Sequence, residues 1–159
     1  MSTRSLKRLL VSAAVASTFA AGSAQASDSV SVTVNATIIG VCKFFTAAPT
    51  INITNTGTGS NIDPSSATTA SGNAAITYKC TNGTTPIFTV PATATVTCTT
   101  SGTCGATTMT PTVTSVNTGA GTGFGNNQTL TVTAQITNAN FQNALVGPYS
   151  GSMTVSVSP

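Results

Sequence analysis

The chain has no His, no Glu and no Trp, and charged residues make up 4% of its 159 residues, against roughly 25% in an ordinary soluble domain. The cations are Arg4, Lys7, Arg8, Lys43 and Lys79, and the anions are Asp28 and Asp63. Three of the five cations fall in the first eight residues, so the formal charge of +3 belongs to that segment; beyond it Lys43 and Lys79 balance Asp28 and Asp63. Binding of nucleic acid by a basic surface is thereby excluded, because phosphate neutralisation needs many Lys or Arg side chains. General acid–base catalysis requires a His or a tuned carboxylate beside the substrate, and the many Ser and Thr hydroxyls have no base to activate them, so no enzyme and no catalytic residue is expected. The absence of His and of any C-x-x-C spacing argues against a bound metal, and nothing in the pattern calls for a cofactor. Aromatic residues are scarce, at 5%, which leaves too few for the girdles of a membrane β-barrel.

What is present is organised from the N-terminus. Residues 1–8 are basic, residues 9–21 are apolar or small throughout, and Ala24-Gln25-Ala26 follows. This is the order of a secretory signal peptide, with cleavage expected between Ala26 and Ser27. The apolar run is shorter than the roughly 20 residues of a spanning helix, and no second apolar stretch follows. The mature chain, from Ser27, is therefore expected to carry no membrane span and to leave the inner membrane.

Export places Cys42, Cys80, Cys98 and Cys104 in an oxidising compartment, where an even count signals disulfides. Four cysteines allow three pairings. Cys98 and Cys104 bracket Thr-Thr-Ser-Gly-Thr, a turn-forming stretch between Thr-rich runs, so a local bridge across a hairpin end is sterically reasonable and leaves Cys42 for Cys80.

From residue 30 onward the hydrophobic period is two. Val30, Val32, Val34, Ala36 and Ile38 alternate with Ser31, Thr33, Asn35 and Thr37. Further strands are predicted over 41–45, 50–54, 74–80, 87–90, 93–98, 107–116, 129–137 and 151–157, separated by stretches rich in Gly, Asn, Ser, Thr or Pro. Such a succession predicts an all-β sandwich of one domain. Asn61-Ile62-Asp63-Pro64 supplies one carboxylate and is read as a turn rather than a calcium loop. The glycines of 119–125 lack a following helix and are read as a surface loop rather than a phosphate cradle.

Three stretches carry a resemblance. The alternating segment 30–38 runs into Gly40-Val41-Cys42; Ala75-Ile76-Thr77-Tyr78-Lys79-Cys80 is followed by the polar turn Thr81-Asn82-Gly83-Thr84; and Gly147-Pro148-Tyr149-Ser150-Gly151 leads into Met153-Thr154-Val155-Ser156-Val157. In order and spacing they resemble the spore coat protein U family, which includes subunits of archaic chaperone–usher pili. The resemblance implies an immunoglobulin-like β-sandwich that lacks its last strand and is completed by a donor strand from a neighbouring subunit. On that basis residues 1–26 would be the signal peptide, 27–40 a donor-strand extension bearing Val30, Val32, Val34, Ala36 and Ile38, and 41–159 the pilin-like domain. Its C-terminal strand would present Met153, Val155 and Val157. The implied partners are a periplasmic chaperone, an outer-membrane usher and other copies or related subunits, with the fibre at the cell surface supporting adhesion or biofilm formation. The alternative is a secreted sandwich adhesin or coat protein that binds a surface or glycan without polymerising.

Overall fold

The computed structural model describes residues 28–100 and 103–159. The expected cleavage site at Ala26 and Ser27 lies outside the described residues. The chain divides into two units, residues 1–37 and 38–159. In the first, residues 28–37 have no regular secondary structure and are exposed.

The second unit is all-β apart from one helical turn. Its strands are β1 (Cys42–Phe44), β2 (Ala70–Cys80), β3 (Ile87–Thr89), β4 (Val96–Cys98), β5 (Thr108–Met109), β6 (Thr112–Asn117), β7 (Gln128–Ile136), β8 (Tyr149–Ser150) and β9 (Ser156–Ser158), with α1 (Asn138–Phe141) between β7 and β8. They form three antiparallel sheets, ordered β1-β2-β7-β6, β3-β9 and β5-β4-β8.

The long strands β2 and β7 set the core. Side chains alternate across a strand, and the register pairs Ala70 with Ile136, Ala74 with Val132, Ile76 with Leu130 and Tyr78 with Gln128, so the large apolar side chains of both strands share one face. That face is buried in both strands. Burying an aliphatic side chain such as Ile76 or Leu130 stabilises by about 1.5–3 kcal/mol. One core cluster gathers Ile76, Tyr78, Cys80, Val113, Leu130, Val132 and Ala134, with Phe44, Phe88, Met153 and Val155 packed against it. The Tyr78 and Phe88 rings meet edge to face, their centroids 4.9 Å apart. A second cluster, of Ala70, Met109, Ile136 and Phe141, lies at the other end of β2 and β7.

Several strand boundaries differ from the sequence reading, each for a local reason. The stretch 107–116 is broken between β5 and β6, where Pro111 has no N–H to give a ladder. Instead the Pro111 carbonyl accepts from Ala94 N, and Val113 N donates to Ala92 O. Residues 50–54 form no strand and are tied to β2 only by a bridge between Thr54 and Ser71. Residues 30–38 form no strand either, and Val30, Val32, Val34 and Ile38 are between 78% and 86% exposed. Of 151–157, only the end from Ser156 is paired, against β3. The turn α1, read from sequence as loop, places Phe141 in the second core cluster. Within the 119–125 loop, Gly119 and Gly123 adopt positive φ and Gly121 lies against the Thr81 carbonyl, so these glycines serve the backbone path. The Gly119 carbonyl accepts from Tyr78 OH, and Gln128 Nε2 donates to the Gly119 and Ala120 carbonyls, which pins the loop to the sheet.

Candidate functional site

The inward face of the β1-β2-β7-β6 sheet is not fully covered. A groove of about 1090 Å³ opens along it, floored by Ala74, Ile76, Val132, Ala134 and Ile136. Protein interiors contain few voids larger than a water molecule, and this opening exceeds the roughly 300–1,000 Å³ of ordinary ligand pockets. Its floor is the groove-side surface of the core itself, since Ile76, Val132 and Ala134 belong to the first cluster and Ile136 to the second.

Two strand-like segments wall the groove. One is residues 49–53, presenting Ile51 and Ile53; the other is residues 151–155, presenting Met153 and Val155. Both show the alternation of a strand, with Met153 and Val155 half-buried and Ser152 and Thr154 exposed. Neither segment has a backbone hydrogen-bond partner among the described residues. Two glycines allow these walls to approach the sheets. A Cβ at Gly72 would collide with the Asn52 carbonyl, and one at Gly151 with the Thr95 carbonyl.

At one end the groove is bounded by Phe44, beside the first core cluster, and at the other by Phe141, Met109 and Tyr149 of the second. Exposed Leu145 and Val146 line the latter end. No Asp, Lys or Arg side chain lines the groove. Its chemistry is therefore that of an apolar channel flanked by free backbone donors and acceptors. An extended peptide with apolar side chains on one face can satisfy both, the backbone by strand addition and the side chains by burial.

Both disulfides are formed. Cys42 faces Cys80 in the β1–β2 register, with Cα atoms 4.1 Å apart. Cys98 is bridged to Cys104, with Cα atoms 6.0 Å apart. Of the C-terminal residues singled out from the sequence, Met153 and Val155 line the groove, while Val157 pairs with Phe88. The donor positions Val30, Val32, Val34, Ala36 and Ile38 are exposed. The floor, the wall at 49–53 and the end formed by Phe141 were not identified from sequence. The alternation of Ile51 and Ile53 was their only visible sign.

Elsewhere the described surface offers little chemistry. Lys79 Nζ lies 5.0 Å from the centre of the Phe45 ring. Asp63 accepts from the Ser65 hydroxyl and from Ser65 N, at 2.7 and 2.9 Å, and these bonds hold its carboxyl below the usual range. Among the described residues no group of three or more His, Cys, Asp or Glu could hold a metal ion, and no helix is long and apolar enough to cross a membrane. Comparison with protein families, with curated proteins and with solved structures found no match.

Proposed function

We propose that this chain is a secreted structural subunit that polymerises into a surface fibre by exchange of β-strands between neighbours, in the manner of the spore coat protein U family. The β-rich unit is an incomplete immunoglobulin-like sandwich, and the N-terminal extension of the next subunit supplies the absent strand. The observation that carries the reading is the apolar groove with its two unpaired walls at 49–53 and 151–155. Free strand edges beside an apolar groove are an aggregation hazard unless something covers them. The extension has the complementary character: Val30, Val32, Val34, Ala36 and Ile38 alternate with polar residues, carry no charge and are exposed.

Under this reading the signal peptide delivers the chain to the periplasm. A chaperone occupies the groove until an outer-membrane usher exchanges it for the extension of another subunit. The disulfides are compatible with that oxidising route. The fibre then serves adhesion or biofilm formation.

The test is gel electrophoresis of surface-sheared protein in SDS, with and without boiling. A ladder that collapses to monomer on heating is the expected result, because strand-exchanged subunits separate only when the sandwich unfolds. A single monomer band at both temperatures supports instead a secreted adhesin or coat protein that does not polymerise.

A further inference from the structure

The bridge between Cys98 and Cys104 lies against residues 147–149, the stretch that leads into one wall of the groove. Cys98 ends β4, whose register pairs Cys98 with Tyr149 and Thr97 with Ser150. The neighbouring Gly147 passes so close that a Cβ there would stand 2.5 Å from Cys104 Sγ and 3.4 Å from Cys98 Sγ. Hydrogen bonds hold the same stretch from both sides. Thr99 N and Thr99 Oγ1 donate to the Pro148 carbonyl at 2.9 and 3.2 Å. Thr107 Oγ1 donates to the Cys104 carbonyl at 2.8 Å, and the Tyr149 hydroxyl lies 2.9 Å from the Leu145 carbonyl and 3.0 Å from Thr107 Oγ1, either of which can accept its proton. Immediately afterwards, at 151–155, the wall loses its backbone partners among the described residues, regaining them only in β9.

We propose that the Cys98–Cys104 bridge is a positioning clamp for the groove wall, an inference that rests on the strand-exchange reading above. The Cys42–Cys80 bridge ties two strands of the large sheet. The Cys98–Cys104 bridge instead fixes where the free edge begins, so that 151–155 is already set for an incoming strand. A preset edge spares the incoming strand the cost of ordering its receptor, and loosening the edge reduces affinity by the fraction of time that it is correctly placed.

The test is capture of a fluorescein-labelled peptide of residues 28–40 by the purified full chain, followed by fluorescence polarisation. The Cys98→Ser/Cys104→Ser double variant should bind the peptide about tenfold more weakly than wild type, through slower association, as for an edge correctly placed about a tenth of the time. Thr107→Val keeps the bridge but removes the hydroxyl between Tyr149 and the Cys104 carbonyl, and should slow association by a smaller factor. It serves as the measurement if the double variant fails to fold. Val113→Ala removes core volume at a residue that does not itself line the groove, and should lower the melting temperature without slowing association. Equal association with wild type and the bridge-side variants overturns the clamp, as does equal slowing by Val113→Ala. If wild type captures no peptide, the strand-exchange reading itself falls, and the clamp with it.

Discussion

Gly72 illustrates how one absent side chain shapes the groove. It sits in β2 beneath the Asn52 carbonyl, and the wall at 49–53 can lie over the sheet because no Cβ intervenes. Gly72→Ala is expected to destabilise the chain by about 1–3 kcal/mol in urea unfolding, the range for forcing extra atoms into a packed site. An unchanged midpoint would show that the wall can shift freely. The cysteines offer a second contrast at this scale. In the chain-entropy picture a bridge spanning 38 residues contributes about 4 kcal/mol and one spanning 6 about 2 kcal/mol. Cys42→Ser is therefore expected to reduce stability more than Cys98→Ser, and denaturant titrations of the two variants check this order. The pairing was legible in the sequence because Cys98 and Cys104 flank a turn-forming stretch. The close contact of Gly147 with that bridge was not, because the two meet only after the chain has returned through β8.

At the scale of elements, a period of two marks side-chain alternation but does not say whether the backbone finds a partner. It led correctly to β2 and β7, where apolar residues at every second position meet in register. The same signal over 50–54 and 151–155 led to expected strands that are largely unpaired. Pairing is a property of the neighbour as much as of the segment, which is why the groove could not be read from local pattern. Pro111 could have warned that 107–116 is not continuous, since it removes a ladder donor. The turn α1 is too short for a helical period to show. These unpaired edges have a measurable signature. Amide exchange at 50–53 and 151–155 is expected to be fast in the isolated chain and to slow on addition of a peptide of residues 28–40. Protection of those amides before any peptide is added would mean that the edges are already paired.

The whole molecule is almost without titrating side chains. No His is present, and the two carboxylates are Asp28 and Asp63. The Ser65 hydroxyl and amide hold Asp63 below the usual carboxylate range. A carboxyl depressed in the folded state contributes its stabilisation above the unfolded pKa and loses it as pH falls through the folded value. Asp63 is fully exposed, so the effect is small and confined to acid. The melting temperature is accordingly expected to stay flat between about pH 5 and pH 8, a window in which no unperturbed carboxylate or Lys side chain titrates. A clear slope in that window would point to a titrating group absent from this account.

If the extension of residues 27–40 in one chain fills the groove of another, one paired substitution tests it most directly. Val34 and Thr33 are both exposed in a segment without strand structure, so neither change should prevent folding. In an added strand they point to opposite faces. Val34→Asp would bury a charge without a partner against the apolar lining of the groove, at a cost of several kcal/mol. Thr33→Asp would leave the charge in water. The measurement is surface fibre yield beside the amount of periplasmic subunit for both variants. Loss of fibre with retained subunit for Val34→Asp, together with near-normal assembly for Thr33→Asp, is the predicted result. Assembly of Val34→Asp at the wild-type level, or loss of the subunit itself, would contradict the claim.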